Sequence, residues 1–223
     1  MTLSPTATLT GREWTWLLAS YFIGCFTAGY YWVRWRTGHD LREQGSGNLG
    51  ARNAGRTFGP SAFAVTLLLD AAKGALVVGL ARYFGLGSVA ILASLVAVVI
   101  GHNWPMQLRF HGGKGIAVSF GALLAYDPFI VLCLLMVFAP LMVLLRNFTL
   151  SGLFAFALGP LTLFLGGADN EKIVAMSILA VMALITHRKN IREEFARFFP
   201  ARPVRPAPNP MHQSTDEGPH DER

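Results

Sequence analysis

The sequence predicts an all-α integral membrane protein with seven transmembrane helices, one of them short, the N-terminus outside and the C-terminus cytoplasmic. Three observations predict it. The composition is 52% hydrophobic and 14% charged, and the apolar residues gather into runs too long for the interior of a soluble domain of 223 residues. Several runs approach the ~20 apolar residues needed to cross the ~30 Å hydrocarbon layer at about 1.5 Å rise per residue. The third is the distribution of Lys and Arg among the connections. If seven segments cross, one side holds Arg34, Arg36, Arg42, Arg52, Arg56, Arg109, Lys114, Arg146, Arg188, Lys189, Arg192 and Arg197, and the other only Arg12, Arg82 and Lys172. Twelve against three makes the first side cytoplasmic.

Taken in order, the first run, 14–33, has Glu13 and one Arg before it and basic residues after it. It lacks a small-residue cleavage site, so it reads as a retained helix. The second, 59–81, carries Asp70 and Lys73 three residues apart. Ionisable groups at membrane depth turn inward and pair, which makes these two a structural ion pair lining a site. Runs at 86–106, 129–145, 148–167 and 173–186 complete six candidates. A seventh, about 114–125, is apolar but short, and the charge count requires it to cross: with six spans the basic residues after 145 would fall outside.

Residues 1–11 are Thr-rich and expected to be loose, 12–198 form one membrane domain, and 199–223 are expected to be a disordered cytoplasmic tail. That tail carries Pro200, Pro203, Pro206, Pro208, Pro210 and Pro219 among polar residues. Cys25 and Cys133 lie in apolar runs without metal-ligand spacing and read as packing residues. A net charge of +6 does not indicate nucleic acid here, because the basic residues sit in short loops beside membrane segments. Anionic lipid and phosphate compounds are the partners that placement suits.

The outer connections hold little that could run a reaction; the inner ones are rich. The first, 40–56, contains Gly45, Ser46, Gly47, Asn48, Gly50, Asn53 and Arg56. Its glycines permit positive φ and close backbone approach, and its polar side chains add hydrogen bonds, a composition for an anion cradle. The competing reading is a flexible glycine-rich connector. The second holds His102 in Gly101-His102-Asn103-Trp104-Pro105, then Gly112-Gly113-Lys114-Gly115 entering the short helix. Free N–H groups, the positive end of a helix dipole and a lysine suit phosphate, although the spacing is not that of a Walker A loop. A lysine snorkelling at the interface is the bland alternative, as a satisfied helix-end histidine is for His102. The third cluster runs from His187 to Arg192. Arg188, Lys189 and Arg192 fit a stop-transfer anchor, while His187 and Asn190 share one face of a continuing helix. Arg146, Thr149 and Ser151, at the turn from the 129–145 run into the 148–167 run, add a charge and two hydroxyls.

Together these loops resemble the acyl-phosphate-dependent glycerol-3-phosphate acyltransferase family, PlsY. They stand here as GSGNLGARN from Gly45, GHNWP from Gly101, FHGGKG from Phe110 and HRKNI from His187, in matching order over about residues 16–194. The resemblance implies seven helices in a bacterial inner membrane, chemistry on the cytoplasmic side, and acyl transfer from acyl phosphate to glycerol 3-phosphate. The products would be 1-acylglycerol 3-phosphate and inorganic phosphate. It implies Ser46, Arg56, His187 and Asn190 as essential residues and the glycines around Lys114 as a glycerol 3-phosphate site; Lys114, whose charge suits phosphate, is expected to be catalytic with them. Gly45, Gly47, Asn48, Gly50, Asn53, His102, Gly112, Gly113, Gly115, Thr149 and Ser151 would bind substrate. No cofactor and no metal are expected.

The sequence departs from the family pattern at Arg52 and Val118, where Thr is usual, at His111, where Lys is usual, and at Gly152, where Ser is usual. It departs again after Ile191, which continues Arg192-Glu193-Glu194. Acyl phosphate is an activated mixed anhydride, so the protein's task is to position two anions and neutralise charge as phosphate leaves. Because no H-x-x-x-x-D base signature occurs, a phosphate oxygen of a substrate is expected to take the hydroxyl proton. A transporter or flippase of a phosphorylated metabolite is the main rival; one-sided polar loops and the lack of paired interrupted helices oppose it. A metal-dependent phosphatidyltransferase would need more inner aspartates, and an inactive paralogue would share the motifs.

Overall fold

The structure, a computed structural model, describes residues 8–198. The expected tail at 199–223 and residues 1–7 of the expected loose N-terminus lie outside the described residues. The chain forms α1 (Gly11–Cys25), α2 (Ala28–Thr37), α3 (Ala51–Phe58), α4 (Pro60–Tyr83), α5 (Ser88–Asn103), α6 (Ile116–Tyr126), α7 (Pro128–Leu145), α8 (Phe148–Leu165) and α9 (Asn170–Phe198), with short 3-10 turns at Leu41–Glu43 and Met106–Leu108. Among the described residues there is no strand.

Among the described residues, five helices are long and apolar enough to cross a membrane: Pro60–Tyr83, Ser88–Leu108, Pro128–Leu145, Phe148–Leu165 and Asn170–Glu194. Their outward residues are apolar too; Val143 and Leu144 at the end of α7 are 79% and 76% exposed, as lipid-facing side chains should be. The expected short helix is present as α6, of 11 residues.

The expected continuous helix over 14–33 is instead two helices. Phe26 and Thr27 are extended, with ψ of 101° and 103°, and the chain bends between α1 and α2. Interrupted backbone at membrane depth must find internal partners. It finds the ion pair on α4: Lys73 Nζ donates to Gly24 O at 3.2 Å and to Phe26 O, and the Ala28 N–H donates to Asp70 Oδ1 at 3.4 Å. The apolar run was legible because both halves are hydrophobic. The break was not, because its stabilising groups lie on another helix, far along the chain.

Close helix contacts rest on glycine. Gly24 of α1 lies against the backbone of Val98 on α5, and Gly101 of α5 against Tyr21 and Cys25 on α1; α4 and α6 meet through Gly74 and Gly121 in the same reciprocal way. A Cβ at any of these would collide with backbone, so the pairs set helix spacing. A core that includes Val77, Val98, Val118, Leu153 and Met176 fills the bundle. A second cluster of Val33, Leu41, Leu49, Ala54, Ala62 and Leu108 anchors the first polar loop.

At the far end of the bundle from that loop, polar staples tie the helix ends. Glu13 Oε1 accepts from Gly87 N at 3.1 Å, and Arg82 donates to Ala125 O and Tyr126 O at 3.0 and 2.7 Å. Asp127 pairs with Lys172 at 2.9 Å. The connections that the sequence marks as chemically quiet therefore close one face of the bundle.

Candidate active site

The loop after α2 is built around one side chain. Asn53, buried in the first turns of α3, accepts from Ser46 N at 2.9 Å and donates to Gln44 O and Asn48 O, both at 2.9 Å. Asn48 Oδ1 accepts from Gly50 N at 2.8 Å, tightening the entry to α3. Gly45 and Gly47 have φ of 58° and 72°, the left-handed region that glycine enters freely. The segment expected to be an open loop to Arg56 is thus partly helical. Its carboxamides organise the backbone, while Ser46 and Arg56 remain exposed, with the Arg56 guanidinium 3.4 Å from Asn53 Oδ1.

The second loop folds back onto α5. Gly112 N donates to Asn103 O at 3.2 Å and Gly113 N to His102 O at 3.0 Å, seating the glycine turn on the end of that helix. His102 is 2% exposed, and its Nδ1 accepts from Lys73 Nζ at 2.8 Å. One buried chain of contacts therefore runs from the α1–α2 break through Lys73 and His102 to Gly113. Gly115, at φ of 80°, caps α6 without any side-chain cap, leaving the first amides of α6 open to an anion.

Lys114 leaves this turn toward α9 and donates to Asn190 Oδ1, while Thr186 Oγ1 donates to Lys114 O at 3.3 Å. Burial, the largest cause, holds the Lys114 ammonium below the usual lysine range; Glu193 opposes this, and the cations of Arg52 and Lys189 add to it. The last apolar segment, expected over 173–186, continues as helix well past Thr186, so His187 and Asn190 do share a helical face. His187 Nδ1 donates to Ala183 O at 2.8 Å, which fixes the tautomer and leaves Nε2 for a ligand.

The fourth contributor is the start of α8. Arg52 of α3 donates to the Thr149 hydroxyl, joining the first loop to α8. The Arg52 cation also lies close enough to Lys114 to help hold its pKa down. Ser151 is fully buried and its hydroxyl donates to Asn147 O at 2.8 Å, so it serves the helix start. Gly152 has open space around it, and Val118 is a core residue. Sequence reasoning groups Ser46 and Arg56 with Lys114, His187 and Asn190; the structure holds the first two within the α3 loop and brings the last three together on the glycine turn and α9.

Sequence reasoning missed Thr186 as the residue holding the Lys114 backbone, although its spacing of four from Asn190 signals a shared face. It also missed Glu193, visible only as a departure from a pattern. Among the described residues no group of three His, Cys, Asp or Glu is gathered to hold a metal. A cavity of about 410 Å³ lies at the opposite end, lined by Arg82, Tyr126, Asp127 and Lys172, but its charges are paired with one another or with backbone.

The glycine turn, its lysine and Asn190 of α9 are joined in one assembly, and the whole chain can be compared with known proteins. Residues 14–197 match the sequence model described as glycerol-3-phosphate acyltransferase. The chain belongs to that family. A relative in Desulfitobacterium hafniense (strain Y51), named glycerol-3-phosphate acyltransferase 1, is 42% identical over 178 residues, covering 79% of this chain and 88% of its own. Another of the same name in Bacillus anthracis is 35% identical over 181 residues, covering 81% and 96%. Among solved structures, the acyltransferase PlsY (YgiH), an integral membrane protein, matches in its glycerol 3-phosphate form with a TM-score of 0.77. Identity is 28%, over 84% of this chain and 94% of that one. Its lysophosphatidic acid form matches with a TM-score of 0.74 at 26% identity, over 84% and 93%.

Proposed function

We propose that this chain transfers an acyl group from acyl phosphate to glycerol 3-phosphate, giving 1-acylglycerol 3-phosphate and inorganic phosphate. The observation that carries the reading is the convergence of Lys114, the open start of α6 and Asn190 at one glycine turn. It is supported by relatives named for glycerol 3-phosphate acylation and by a structural neighbour in glycerol 3-phosphate and lysophosphatidic acid forms.

In the proposed reaction the C1 hydroxyl of glycerol 3-phosphate attacks the carbonyl carbon of the acyl phosphate. The new C–O ester bond forms as the bond between acyl carbon and phosphate oxygen breaks, and the hydroxyl proton passes to a phosphate oxygen. Lys114, Arg56 and the amides of the two glycine loops neutralise the phosphoryl groups. Ser46, held through its backbone by Asn53, and the pair His187 and Asn190 orient the acceptor. Gly45, Gly47, Asn48, Gly50, Gly112, Gly113 and Gly115 supply close backbone approach, and Thr149 reaches the site through Arg52. Asp70 and Lys73 act behind it as the ion pair that fixes His102. The acyl chain lies along the apolar helix surface.

The domain is 12–198, and it crosses a bacterial inner membrane seven times, with α1 and α2 together making one crossing and α6 another. The N-terminus is outside, and the site and C-terminus are cytoplasmic; the Lys and Arg count supports this orientation.

Incubating purified protein with acyl phosphate and glycerol 3-phosphate should yield lysophosphatidate and inorganic phosphate in equal amounts, and acyl-CoA should not replace the donor. Uptake of a phosphorylated metabolite into liposomes without phosphate release would instead indicate a transporter. Labelling of cysteines placed at Ser46, Lys114 and His187 should occur from the cytoplasmic side; labelling from opposite sides would overturn the proposed site.

A further inference from the structure

Asn103 is the one residue of the glycine-turn assembly whose side chain is left without a partner among the described residues. It is 3% exposed, and neither Oδ1 nor Nδ2 makes a hydrogen bond there. Its neighbour His102 is engaged by Lys73, so the omission belongs to this position. Burying an unpaired carboxamide is costly, and an apolar isostere would avoid that cost.

The carboxamide lies directly under the turn. A Cβ at Gly115 would come within 2.7 Å of Asn103 Oδ1 and 3.2 Å of Nδ2, and the Asn103 carbonyl already receives Gly112 N at 3.2 Å. Most of the turn's backbone is committed. Gly113 N is on His102 O, Lys114 O receives Thr186, and Gly115 O receives Ser119 N at 2.8 Å. Within the described residues, the peptide between Gly113 and Lys114 uses neither its C=O nor its N–H in such a bond. A planar trans peptide points those two groups in opposite directions. An anion that draws the Lys114 N–H toward itself leaves the Gly113 carbonyl on the opposite side of that peptide, and the buried carboxamide beside the turn, against Gly115, is that of Asn103.

We propose that Asn103 is a positioning residue for glycerol 3-phosphate: its Nδ2 donates to the Gly113 carbonyl when the phosphoryl group occupies the turn, stabilising the loaded form. The inference rests on the acyltransferase reading. It gives this buried amide, without a partner among the described residues, a hydrogen bond in the substrate complex.

The test compares wild type, Asn103→Leu and Asn103→Ser, each purified in detergent, by thermal unfolding with and without glycerol 3-phosphate and by steady-state kinetics with acyl phosphate. Asn103→Leu should unfold at the same or a higher temperature than wild type when empty. Its KM for glycerol 3-phosphate should rise about tenfold, the loss of roughly one hydrogen bond, while kcat at saturation changes much less. The temperature shift induced by glycerol 3-phosphate should shrink accordingly, and Asn103→Ser, which keeps a donor, should retain part of it. An unchanged KM and ligand-induced shift in both variants would overturn the inference, as would a fall in the empty enzyme's unfolding temperature with KM intact. Wild type failing to shift with glycerol 3-phosphate or to form lysophosphatidate would instead defeat the acyltransferase reading itself.

Discussion

Lys73 on α4 and His102 on α5 are joined 2.8 Å apart, Nζ to Nδ1, inside the bundle, with Asp70 Oδ1 2.8 Å from the same ammonium. That ammonium also holds the two carbonyls of the α1–α2 break. One side chain therefore secures a helix interruption and the support of the glycine turn together.

Removing it should weaken both. Lys73→Met leaves Asp70 buried and unpaired, so it is expected to lower stability by about 3–5 kcal/mol. Asp70→Leu combined with Lys73→Met should lose less than the two single changes added, because no charge is then stranded. Unfolding of the three variants in one detergent measures this. Strict additivity would show that the pair is not coupled.

Lys114 carries the electrostatics of the proposed site. Lys114→Ala should lower kcat/KM about 10²-fold or more while the protein still inserts and unfolds as wild type does. A near-normal rate of phosphate release by that variant would defeat the assignment. The pH dependence has a definite sign. Burial, opposed by Glu193 and assisted by Arg52 and Lys189, holds the pKa down. The cationic form that binds phosphate is present at low pH and is lost as pH rises through that lowered value. The alkaline limb of kcat/KM should thus fall below the ordinary lysine range, near about 10.4. Lys114→Arg should push the limb upward if it retains activity, since guanidinium stays charged. A limb unmoved by the arginine would assign it to another group.

Most of the helices and the glycine-rich polar connections between them were legible in the sequence, because membrane runs and glycine-rich polar loops are local signals. The interruption at Phe26 and Thr27 was not, since its partners Asp70 and Lys73 sit on another helix. Asp70 and Lys73 themselves were readable as a pair from their spacing, but not their grip on the break and on His102. Helix α3 was hidden for a related reason: Ala51 to Phe58 is polar by membrane standards, and only Gly50 and Gly59 at its two ends bracket it. Arg52, marked by sequence as a departure, proves to be the bridge to Thr149.

Asn53 organises the first loop rather than merely lining it. Asn53→Ala removes the acceptor for Ser46 N and the donors to Gln44 O and Asn48 O together. It should cost about 1–3 kcal/mol of stability and lower kcat/KM about tenfold by loosening Ser46. Asn53→Asp retains the acceptor and should fall between alanine and wild type. Equal loss in both variants would place the effect on the donors alone.

The reaction is expected to proceed without a metal ion. Acyl phosphate is already activated, and in the proposed reaction the charges meeting it are Lys114 and Arg56 rather than clustered carboxylates. Activity should be unchanged by EDTA across a range that strips Mg²⁺ from the assay. A rate lost on chelation and restored by Mg²⁺ would reassign that charge neutralisation to an ion.

Gly113 gives the sharpest test of the support beneath the turn. A Cβ there would meet the His102 ring, with Cε1 at 2.7 Å and Cδ2 at 2.9 Å. That ring cannot swing aside freely, being 2% exposed and bonded to Lys73. In Gly113→Ala the turn must therefore lift, stretching the Gly113 N–H from His102 O and moving Lys114 with it. Overpacking of this kind costs about 1–3 kcal/mol, and kcat/KM for glycerol 3-phosphate should fall by about tenfold or more. His102→Ala alone should also lose activity, because it removes an acceptor from Lys73. In the double variant the methyl group has the space the ring vacated, so the combined loss should be smaller than the two losses multiplied together. Losses that simply multiply would mean that the turn does not rest on His102, and the line of contacts from the helix break to Lys114 would have no bearing on catalysis.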